Sequence, residues 1–351
     1  MRYTTFGRRT GLRVSQYALG AGNFGTGWGA GAEPDEARRM FDRFVERGGN
    51  FIDTADIYQF GESEKLVGEF IHADRDDLVV ATKYTNGAKP GLGPSRTGNG
   101  RKNMRTSVEA SLKRLDTDYV DLLWVHHPDE LTPMDEILRG IDDLVSQGKI
   151  LYAALSNFPA WRVSRAATIA DLTGLEPIAG LQVEYSLVER SADAELLPMS
   201  EALGLGAALW SPLGGGLLTG KYRNSPAGRL SDLKMLVHTE TTHQKTAVVD
   251  AVLAIAGEIE ASPAMVAMAW LNERASRSTT SIIPIIGPRN ADQLDDYLGA
   301  LDLELSPEHC ARLTAVSATP LGVPHDGNAA RRAGARRGSS FELRGPVVPV
   351  A

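Results

Sequence analysis

The glycine-rich stretch "ALGAGNFGTG" (18–27) contains the pattern G-x-G-x-x-G, which in dinucleotide-binding folds leads from a strand directly into a helix. Here the stretch runs into "TGWGAGA", and the first helical pattern begins only at Pro34. A Rossmann domain binds the pyrophosphate at that helix N-terminus, so a long loop in its place argues against this fold. The stretch therefore predicts a loop after a first strand, and the fold is indicated by the residues C-terminal to it.

Short apolar segments rich in β-branched residues alternate with amphipathic segments along the rest of the chain. Strands are predicted over 50–56, 78–84, 119–127, 150–157, 178–186, 204–212 and 281–288. Helices are predicted over 61–71, 104–115, 134–145, 160–170, 192–203, 247–260, 263–275 and 291–301. With "QYALGAG" as the first strand and a helix at Pro34–Glu46, eight strand–helix units result, which predicts an α/β fold, the (β/α)₈ TIM barrel.

Both ends of the chain extend beyond the predicted barrel. Glycines at positions 7 and 11 of "RYTTFGRRTGLRVSQ" (2–16) predict an N-terminal β-hairpin that closes the barrel floor. With a last helix predicted over 307–316, residues 1–317 form a single barrel domain. Residues 318–351 are a C-terminal extension, and its arginine cluster at 331–337 is interpreted as part of a solvated tail.

The composition narrows the function classes. With 37 basic and 44 acidic residues the formal net charge is −7, so no general attraction to nucleic acid or an anionic membrane is expected. The single cysteine, Cys310, excludes an intrachain disulfide. No signal-peptide pattern and no apolar run of about 18 residues are present. We expect a cytoplasmic protein that acts on a small molecule, and nothing in the sequence predicts its oligomeric state.

Polar residues stand where three of the predicted strands end, and in a TIM barrel these ends form the active site. Asp53, Lys83 and His126 close the second, third and fourth strands, and Tyr58 lies in a loop. Any one of them could be a structural rim or core residue. Their convergence on one mouth favours a functional set.

The four residue types also form a chemically coherent set. A tyrosine has a pKa near 10, too high for an efficient acid at neutral pH. We expect the Lys83 ammonium to lower the pKa of Tyr58, Asp53 to keep Lys83 charged, and His126 to orient a carbonyl oxygen. Such a set suits proton transfer at an oxygen while a hydride moves to or from carbon.

Two other patterns are interpreted as structural. "GGLLTGKY" (215–222) matches most of a phosphate-binding P-loop, but Tyr222 stands where a magnesium-binding Ser or Thr is needed. In "HHPD" (126–129) adjacent histidines are expected on opposite faces of a strand, so no metal site is predicted.

Seven segments together resemble the aldo-keto reductase superfamily, in particular its bacterial members and the potassium channel β-subunits. They run in family order: "FIDTADIYQFGESEKLVGEFI", "ATKY", "YVDLLWVHHPD", "LVSQGKILYAALSNF", "LQVEYSLVER", "LWSPLGGGLLTGKY" and "IIPIIGPRNADQL". The resemblance implies an NADP(H)-dependent oxidoreductase that interconverts an aldehyde or ketone with its alcohol on a barrel. It implies a catalytic tetrad of Asp53, Tyr58, Lys83 and His126, with Tyr58 as general acid and base.

The resemblance also implies the residues that bind the cofactor. Trp210 would stack on the nicotinamide and Arg289 would bind the 2′-phosphate, because a guanidinium pairs well with phosphate. Asp296 and Tyr297 depart from the Glu-Asn that family members place against the adenine. The full set is Gly22, Asn23, Ser156, Asn157, Gln182, Trp210, Ser211, Leu213, Gly215, Lys221, Gly287, Arg289 and Gln293.

The substrate pocket is predicted to be lined by Trp28 and by the loops 86–103 and 223–245. Two other functions stay open. The chain could be a noncatalytic NADP(H)-binding regulatory subunit, as the likeness to channel β-subunits implies. It could also be a lyase that forms a Schiff base on Lys83, which would require Lys83 to be desolvated without a nearby anion.

Overall fold

The computed structural model describes residues 1–223, 238–336 and 347–350, and it confirms the predicted barrel. Eight parallel strands, β3 to β10, close in chain order, and β10 pairs with β3. The strands are β3 (Ala18–Gly20), β4 (Phe51–Asp53), β5 (Val79–Tyr84), β6 (Val120–Val125), β7 (Ile150–Ser156), β8 (Ile178–Glu184), β9 (Gly206–Trp210) and β10 (Ile282–Ile286).

Helices surround the barrel and continue past it at the C-terminus. They are Pro34–Glu46, Glu62–Ile71, Arg101–Leu115, Met134–Ser146, Ala160–Thr173, Leu196–Leu203, His243–Glu258, Pro263–Ser276, Ala291–Gly299, Pro307–Ser317 and His325–Arg336. Two of them begin close to the predicted residue because Ser262 and Ser306 cap them with side-chain hydrogen bonds, and a proline occupies the first helical position.

The barrel strands are buried on both faces, as their nearly unbroken apolar sequence predicts. All residues of β5 and β6 are buried, including Lys83 near the end of β5. Strand register sets the heights of the polar residues: Asp53 pairs with Gly20 and Ala81, and Ser156 pairs with Gln182. The carboxyl ends of the strands therefore present these side chains at one mouth.

The predicted hairpin closes the opposite end. Strand β1 (Tyr3–Thr5) pairs antiparallel with β2 (Arg13–Ser15). From the loop between them, the Phe6 ring packs edge to face on Trp124 at 6.0 Å between centroids. A Cβ on Gly180 or Gly206 would lie within 3 Å of that ring, so both positions must be glycine for Phe6 to fit.

Outside the barrel, helix His325–Arg336 lies within the segment interpreted as a solvated tail. Residue 337 of the arginine cluster and residues 224–237 of the predicted substrate loop lie outside the described residues. Within the described part of the chain, no single helix is long and apolar enough to cross a membrane. Helices His243–Glu258 and Pro263–Ser276 meet that criterion only as a pair, and they are bent by 102°.

We expect Gly68→Ala to destabilise the protein, because its new Cβ would lie 2.5 Å from the carbonyl oxygen of Leu115 in the neighbouring helix. Overpacking of this kind costs about 1–3 kcal/mol. The matched control is Gly257→Ala, also helical, where nothing lies within 4 Å of the new Cβ. It should raise the free energy of unfolding by roughly 0.5–1 kcal/mol. Urea denaturation of both variants measures the difference, and equal effects would contradict the packing argument.

Candidate active site

The glycine-rich stretch forms a loop, as predicted, and not a dinucleotide fingerprint. Strand β3 ends at Gly20, a short 3₁₀ turn covers Ala21–Asn23, and the first helix begins at Pro34. A Cβ on Gly22 would lie 3.7 Å from the ring of Tyr58, so the backbone passes directly over that ring. The loop therefore forms one wall of the barrel mouth.

Lys83 is the centre of a buried cluster at this mouth. Its Nζ donates to Asp53 Oδ2 at 2.5 Å, to the Thr54 carbonyl at 2.8 Å and to the Tyr58 hydroxyl at 3.1 Å. The other Asp53 oxygen accepts from Gln182 Nε2 at 3.0 Å. All three ammonium protons of Lys83 are thus used, and one of them points at the phenol.

The pKa of Tyr58 departs from the expectation. Burial raises it above the ordinary value of a tyrosine, and the Lys83 ammonium lowers it without cancelling the effect of burial. The net shift of the Tyr58 pKa is therefore upward, because loss of hydration destabilises the phenolate more than the one nearby ammonium stabilises it. For Lys83 burial works against the charge, but Asp53 and Tyr58 outweigh it and raise its pKa.

His126 completes the predicted tetrad. Its ring meets that of Tyr58 edge to face, with 6.1 Å between centroids. Burial, Lys83 and His127 hold the pKa of His126 well below the usual range, so the imidazole is neutral at neutral pH. Its Nδ1 lies 3.5 Å from Nδ2 of Asn86, the first residue of the loop predicted to line the substrate pocket. The structure thus brings all four residues together.

Gln59, a residue that the sequence did not single out, fixes the first loop against this cluster. Its buried Nε2 donates to the carbonyls of Gly22 and Ala30 at 3.1 Å, and its Oε1 accepts the Trp28 amide at 2.8 Å. Gln59 has φ of 50° and Phe60 has φ of 56°, the left-handed region that non-glycine residues rarely adopt. This local strain is compensated by the three hydrogen bonds.

Glu62 fixes the same loop at a second point, because its Oε2 accepts the amides of Thr26 and Gly27 at 2.8 and 2.9 Å. The Trp28 ring in this loop meets the Tyr58 ring edge to face at 6.0 Å between centroids, and it meets the Phe60 ring in the same way at 6.4 Å. The mouth therefore carries an aromatic wall beside the phenol. The sequence signal for this wall was the bulky residue Phe60 directly before Gly61, in "YQFGE".

Adjacent histidines come directly after β6, and their arrangement corrects one expectation. The strand ends at Val125, so the alternation of faces does not extend to His126 and His127. Their rings stack, with 4.4 Å between centroids and 15° between planes. The Asn157 backbone has φ of 61°. Its carboxamide nitrogen lies 3.3 Å from His127 Nδ1, and its carboxamide oxygen accepts from the Trp210 indole nitrogen. Among the residues described, no group of three or more His, Cys, Asp or Glu could hold a metal ion.

Two adjoining cavities form a cleft from the tetrad to the edge of the barrel. The inner one, about 270 Å³, contains Tyr58 and Trp210, and the outer one, about 310 Å³, contains Arg289 and Lys221. Tyr297 lies between them and contacts both. The predicted cofactor residues that line the cleft are Gly22, Asn23, Gln182, Trp210, Ser211, Leu213, Gly215, Lys221, Gly287, Arg289 and Gln293.

Ser156 and Asn157 line neither cavity. Asn157 Nδ2 donates a hydrogen bond to Ser156 Oγ at 3.1 Å. Asn23 joins the first loop to the segment after β10, because its Nδ2 donates to the carbonyls of Gly287 and Pro288. Ser211 Oγ accepts the Gly215 amide at 2.9 Å and shapes the loop after β9. The segment that resembled a P-loop therefore contributes to the cleft, and it continues into a short 3₁₀ turn over Lys221–Arg223.

A buried carboxyl outside the tetrad is unusual. Asp56 is 1% exposed, and neither of its oxygens has a hydrogen bond of ordinary geometry, although the amides of Ile57 and Gly87 lie near them. Burial and the neighbouring Glu64 raise the pKa of Asp56 to about 7, against the opposing effect of Arg114. The folded protein therefore retains this proton up to neutral pH.

We expect Asp56→Asn to change the pH dependence of stability. The folded protein binds this proton more tightly than the unfolded chain does. The free energy of unfolding of wild type is therefore highest at low pH, where the carboxyl is protonated in both states, and it falls as pH rises toward about 7. Since one pKa unit corresponds to about 1.4 kcal/mol, the variant should gain several kcal/mol over wild type between about pH 4 and about pH 8. Urea denaturation across this range measures it. A constant difference between the two proteins would mean that Asp56 ionises normally.

The chain matches known proteins of one family over most of its length. Residues 17–318 match the model of the aldo/keto reductase family. A norsolorinic acid reductase of Aspergillus flavus is 36% identical over 324 residues, covering 90% of this chain and 80% of that protein. The oxidoreductase YrpG of Bacillus subtilis is 36% identical, covering 92% of this chain and 98% of its own. An aryl-alcohol dehydrogenase [NADP(+)] of Phanerodontia chrysosporium is 35% identical, covering 90% and 86%.

Proposed function

This chain belongs to the aldo/keto reductase family and is an oxidoreductase, and from that premise we propose that it interconverts an aldehyde or ketone with its alcohol using NADP(H). One observation carries the proposal: the Tyr58 hydroxyl lies 3.1 Å from a fully buried Lys83 ammonium, and Tyr58 lines the cleft. A phenol held in this way can exchange a proton with an oxygen bound in the cleft.

The residues of the cleft fit a nicotinamide dinucleotide. Trp210 offers an indole face at the inner end, oriented by its hydrogen bond to Asn157 Oδ1 at 3.2 Å. When bound there, the cofactor supplies the hydride for reduction. Tyr58 then donates its proton to the carbonyl oxygen, Lys83 stabilises the phenolate that remains, and neutral His126 orients the oxygen by hydrogen bonding.

The outer cavity supports a preference for the phosphorylated cofactor. Arg289 and Lys221 place two cations there against the single carboxylate of Asp296. A 2′-phosphate would form charge-assisted hydrogen bonds with Arg289, which the free ribose of NAD cannot form. Tyr297, which departs from the family pattern, gives the cavity an aromatic edge.

We expect Arg289→Gln to weaken NADPH binding and to leave NADH binding nearly unaffected. Loss of one charge-assisted hydrogen bond costs about 1.5–3 kcal/mol, or roughly tenfold to a hundredfold in Kd. Titration of reduced-nicotinamide fluorescence with each cofactor measures it. If the variant weakens both cofactors equally, Arg289 does not bind the 2′-phosphate.

The aromatic wall of Trp28 and Phe60 favours a substrate with an aromatic ring next to the carbonyl. The name of one relative, an aryl-alcohol dehydrogenase, supports the same choice. The direct test is oxidation of NADPH by the purified protein in the presence of aromatic aldehydes and ketones, and reduction of NADP⁺ in the presence of the corresponding alcohols.

The two alternative functions give different results in this test. A noncatalytic regulatory subunit would bind NADPH and turn over no carbonyl compound in either direction. A Schiff-base lyase is disfavoured by Asp53, whose carboxylate lies 2.5 Å from Lys83 Nζ and keeps it protonated. Turnover that does not depend on a nicotinamide cofactor would nevertheless restore that alternative.

A further inference from the structure

A further cavity lies at the floor of the barrel, at the end opposite the active site. It has a volume of about 350 Å³ and lies between the N-terminal hairpin, the end of helix Pro263–Ser276 and the segment that leads into β10. Serine and threonine make up most of its polar lining, and among the described residues that line it only Arg2 and Arg8 are charged. In a chain with a formal net charge of −7, a cavity whose charged residues are all cationic points to an anionic ligand.

The Arg8 guanidinium is held in place by neutral acceptors. Its Nη1 donates to the Thr279 carbonyl at 2.9 Å and to Thr279 Oγ1 at 3.3 Å, and its Nη2 donates to the Glu201 carbonyl at 2.7 Å. These bonds fix the direction of the side chain but bring no negative charge to it. Within the described part of the chain Arg8 forms no ion pair, so a rigid guanidinium with an uncompensated charge faces this cavity.

Arg2 supplies the second positive charge. Its side chain forms no hydrogen bond and no ion pair with any other described residue. Burial raises the pKa of Tyr17, the residue just before the first barrel strand, and the Arg2 charge opposes this shift. The guanidinium of Arg2 therefore lies close enough to the barrel floor for its charge to act there.

The carboxylate of Glu201 does not neutralise either arginine. It accepts a hydrogen bond from Ser278 Oγ at 3.1 Å and lies 3.6 Å from Nη1 of Arg274, so its charge is paired outside the cavity. Two guanidinium groups thus share one cavity without a compensating anion from the residues that line it.

We infer that the floor cavity binds a small phosphate monoester that also carries hydroxyl groups, such as a sugar phosphate. A phosphate monoester carries about −1.5 to −2 charges at neutral pH, which matches two uncompensated guanidinium groups better than a single carboxylate would. The serine and threonine hydroxyls of the wall can donate to and accept from the hydroxyl groups of such a ligand. The inference does not depend on the proposed function, because the cavity and the cofactor cleft lie at opposite ends of the barrel.

The experiment is isothermal titration calorimetry of the full chain with glucose 6-phosphate at low ionic strength, with inorganic phosphate and glucose as comparison ligands. We expect glucose 6-phosphate to bind most tightly, inorganic phosphate more weakly, and glucose not measurably. Arg2→Gln and Arg8→Gln should each raise the Kd for glucose 6-phosphate roughly tenfold, the effect of one lost charge-assisted hydrogen bond. Because the Arg2 side chain has no hydrogen bond to a described residue, Arg2→Gln tests the site even if Arg8→Gln disturbs the hairpin.

Two control variants locate the binding. Arg9→Gln lies in the same hairpin, but Arg9 pairs with Asp171 and does not line the cavity, so its Kd should equal that of wild type. Arg289→Gln removes a guanidinium from the cofactor cleft and should leave the Kd for glucose 6-phosphate unchanged. If the Kd rises in Arg289→Gln and not in Arg2→Gln, the ester binds in the cofactor cleft and the inference is wrong.

Two further results would overturn the inference. One is the absence of both a heat of binding and a rise in melting temperature when glucose 6-phosphate is added to wild type. The other is an equal Kd for inorganic phosphate and glucose 6-phosphate, which would mean that the cavity binds the ion alone and has no site for the rest of an ester.

Discussion

Tyr58→Phe is expected to lower carbonyl reduction about 10²–10⁴-fold, the range that a general acid contributes to an enzymatic rate. The phenyl ring keeps the edge-to-face contacts with Trp28 and His126, at 6.0 and 6.1 Å. Lys83 keeps its bonds to Asp53 and to the Thr54 carbonyl, so the charge pair stays satisfied. The variant loses the proton that Tyr58 would donate to the carbonyl oxygen.

The measurement is NADPH oxidation with an aromatic aldehyde, together with NADPH binding followed by fluorescence. The Kd for NADPH should remain close to that of wild type, because the variant removes only the hydroxyl. Tyr17→Phe is the matched control: this buried phenol bonds to Asn272 at 2.9 Å and contacts no part of the cleft. Turnover retained in Tyr58→Phe would show that another group donates the proton.

Lys83→Met is expected to abolish turnover and also to destabilise the fold. Asp53 is 1% exposed and would be left buried with only the Gln182 amide as a partner. Removing one member of a buried ion pair costs about 3–5 kcal/mol, because the remaining charge is uncompensated. Tyr58 would lose the ammonium that stabilises its phenolate, so proton transfer would fail as well.

A double variant separates the two effects. In Asp53→Asn with Lys83→Met no buried charge is left unpaired, and much of the lost stability should return while turnover does not. Urea denaturation of the wild type, the two single variants and the double variant forms a thermodynamic cycle. If the losses of the single variants simply add in the double variant, the pair is not coupled. Activity that returns with stability would mean that Lys83 is only structural.

The fold was predictable from the sequence because barrel strands and helices carry local periodicities. A run such as "VVATKY" (79–84) is apolar throughout because both faces of a parallel strand are covered. Once eight such units are recognised, all strands point the same way, and Asp53, Lys83 and His126 must meet at one end. The absence of a helix directly after Gly25 likewise excluded the Rossmann fold without any knowledge of tertiary contacts.

The electrostatics could not be predicted in this way. The sequence correctly placed Lys83 near Tyr58, but the direction of the Tyr58 pKa depends on how deeply the phenol is buried. In the sequence Asp56 is one more polar residue, close to Tyr58. Only its surroundings make it a buried carboxyl without a hydrogen bond of ordinary geometry and with a pKa of about 7.

The sequence by itself determined the barrel, the end at which the site lies and the meeting of Asp53, Lys83 and His126 there, since these depend on strand periodicity and strand direction. The tertiary structure alone decided the left-handed turn at Gln59 and the stacking of His126 on His127. Both lie in the segments that follow a strand, where the backbone no longer alternates. There the direction of a side chain is set by hydrogen bonds to residues distant in the sequence, such as those from Gln59 to Ala30 and from Asn157 to His127.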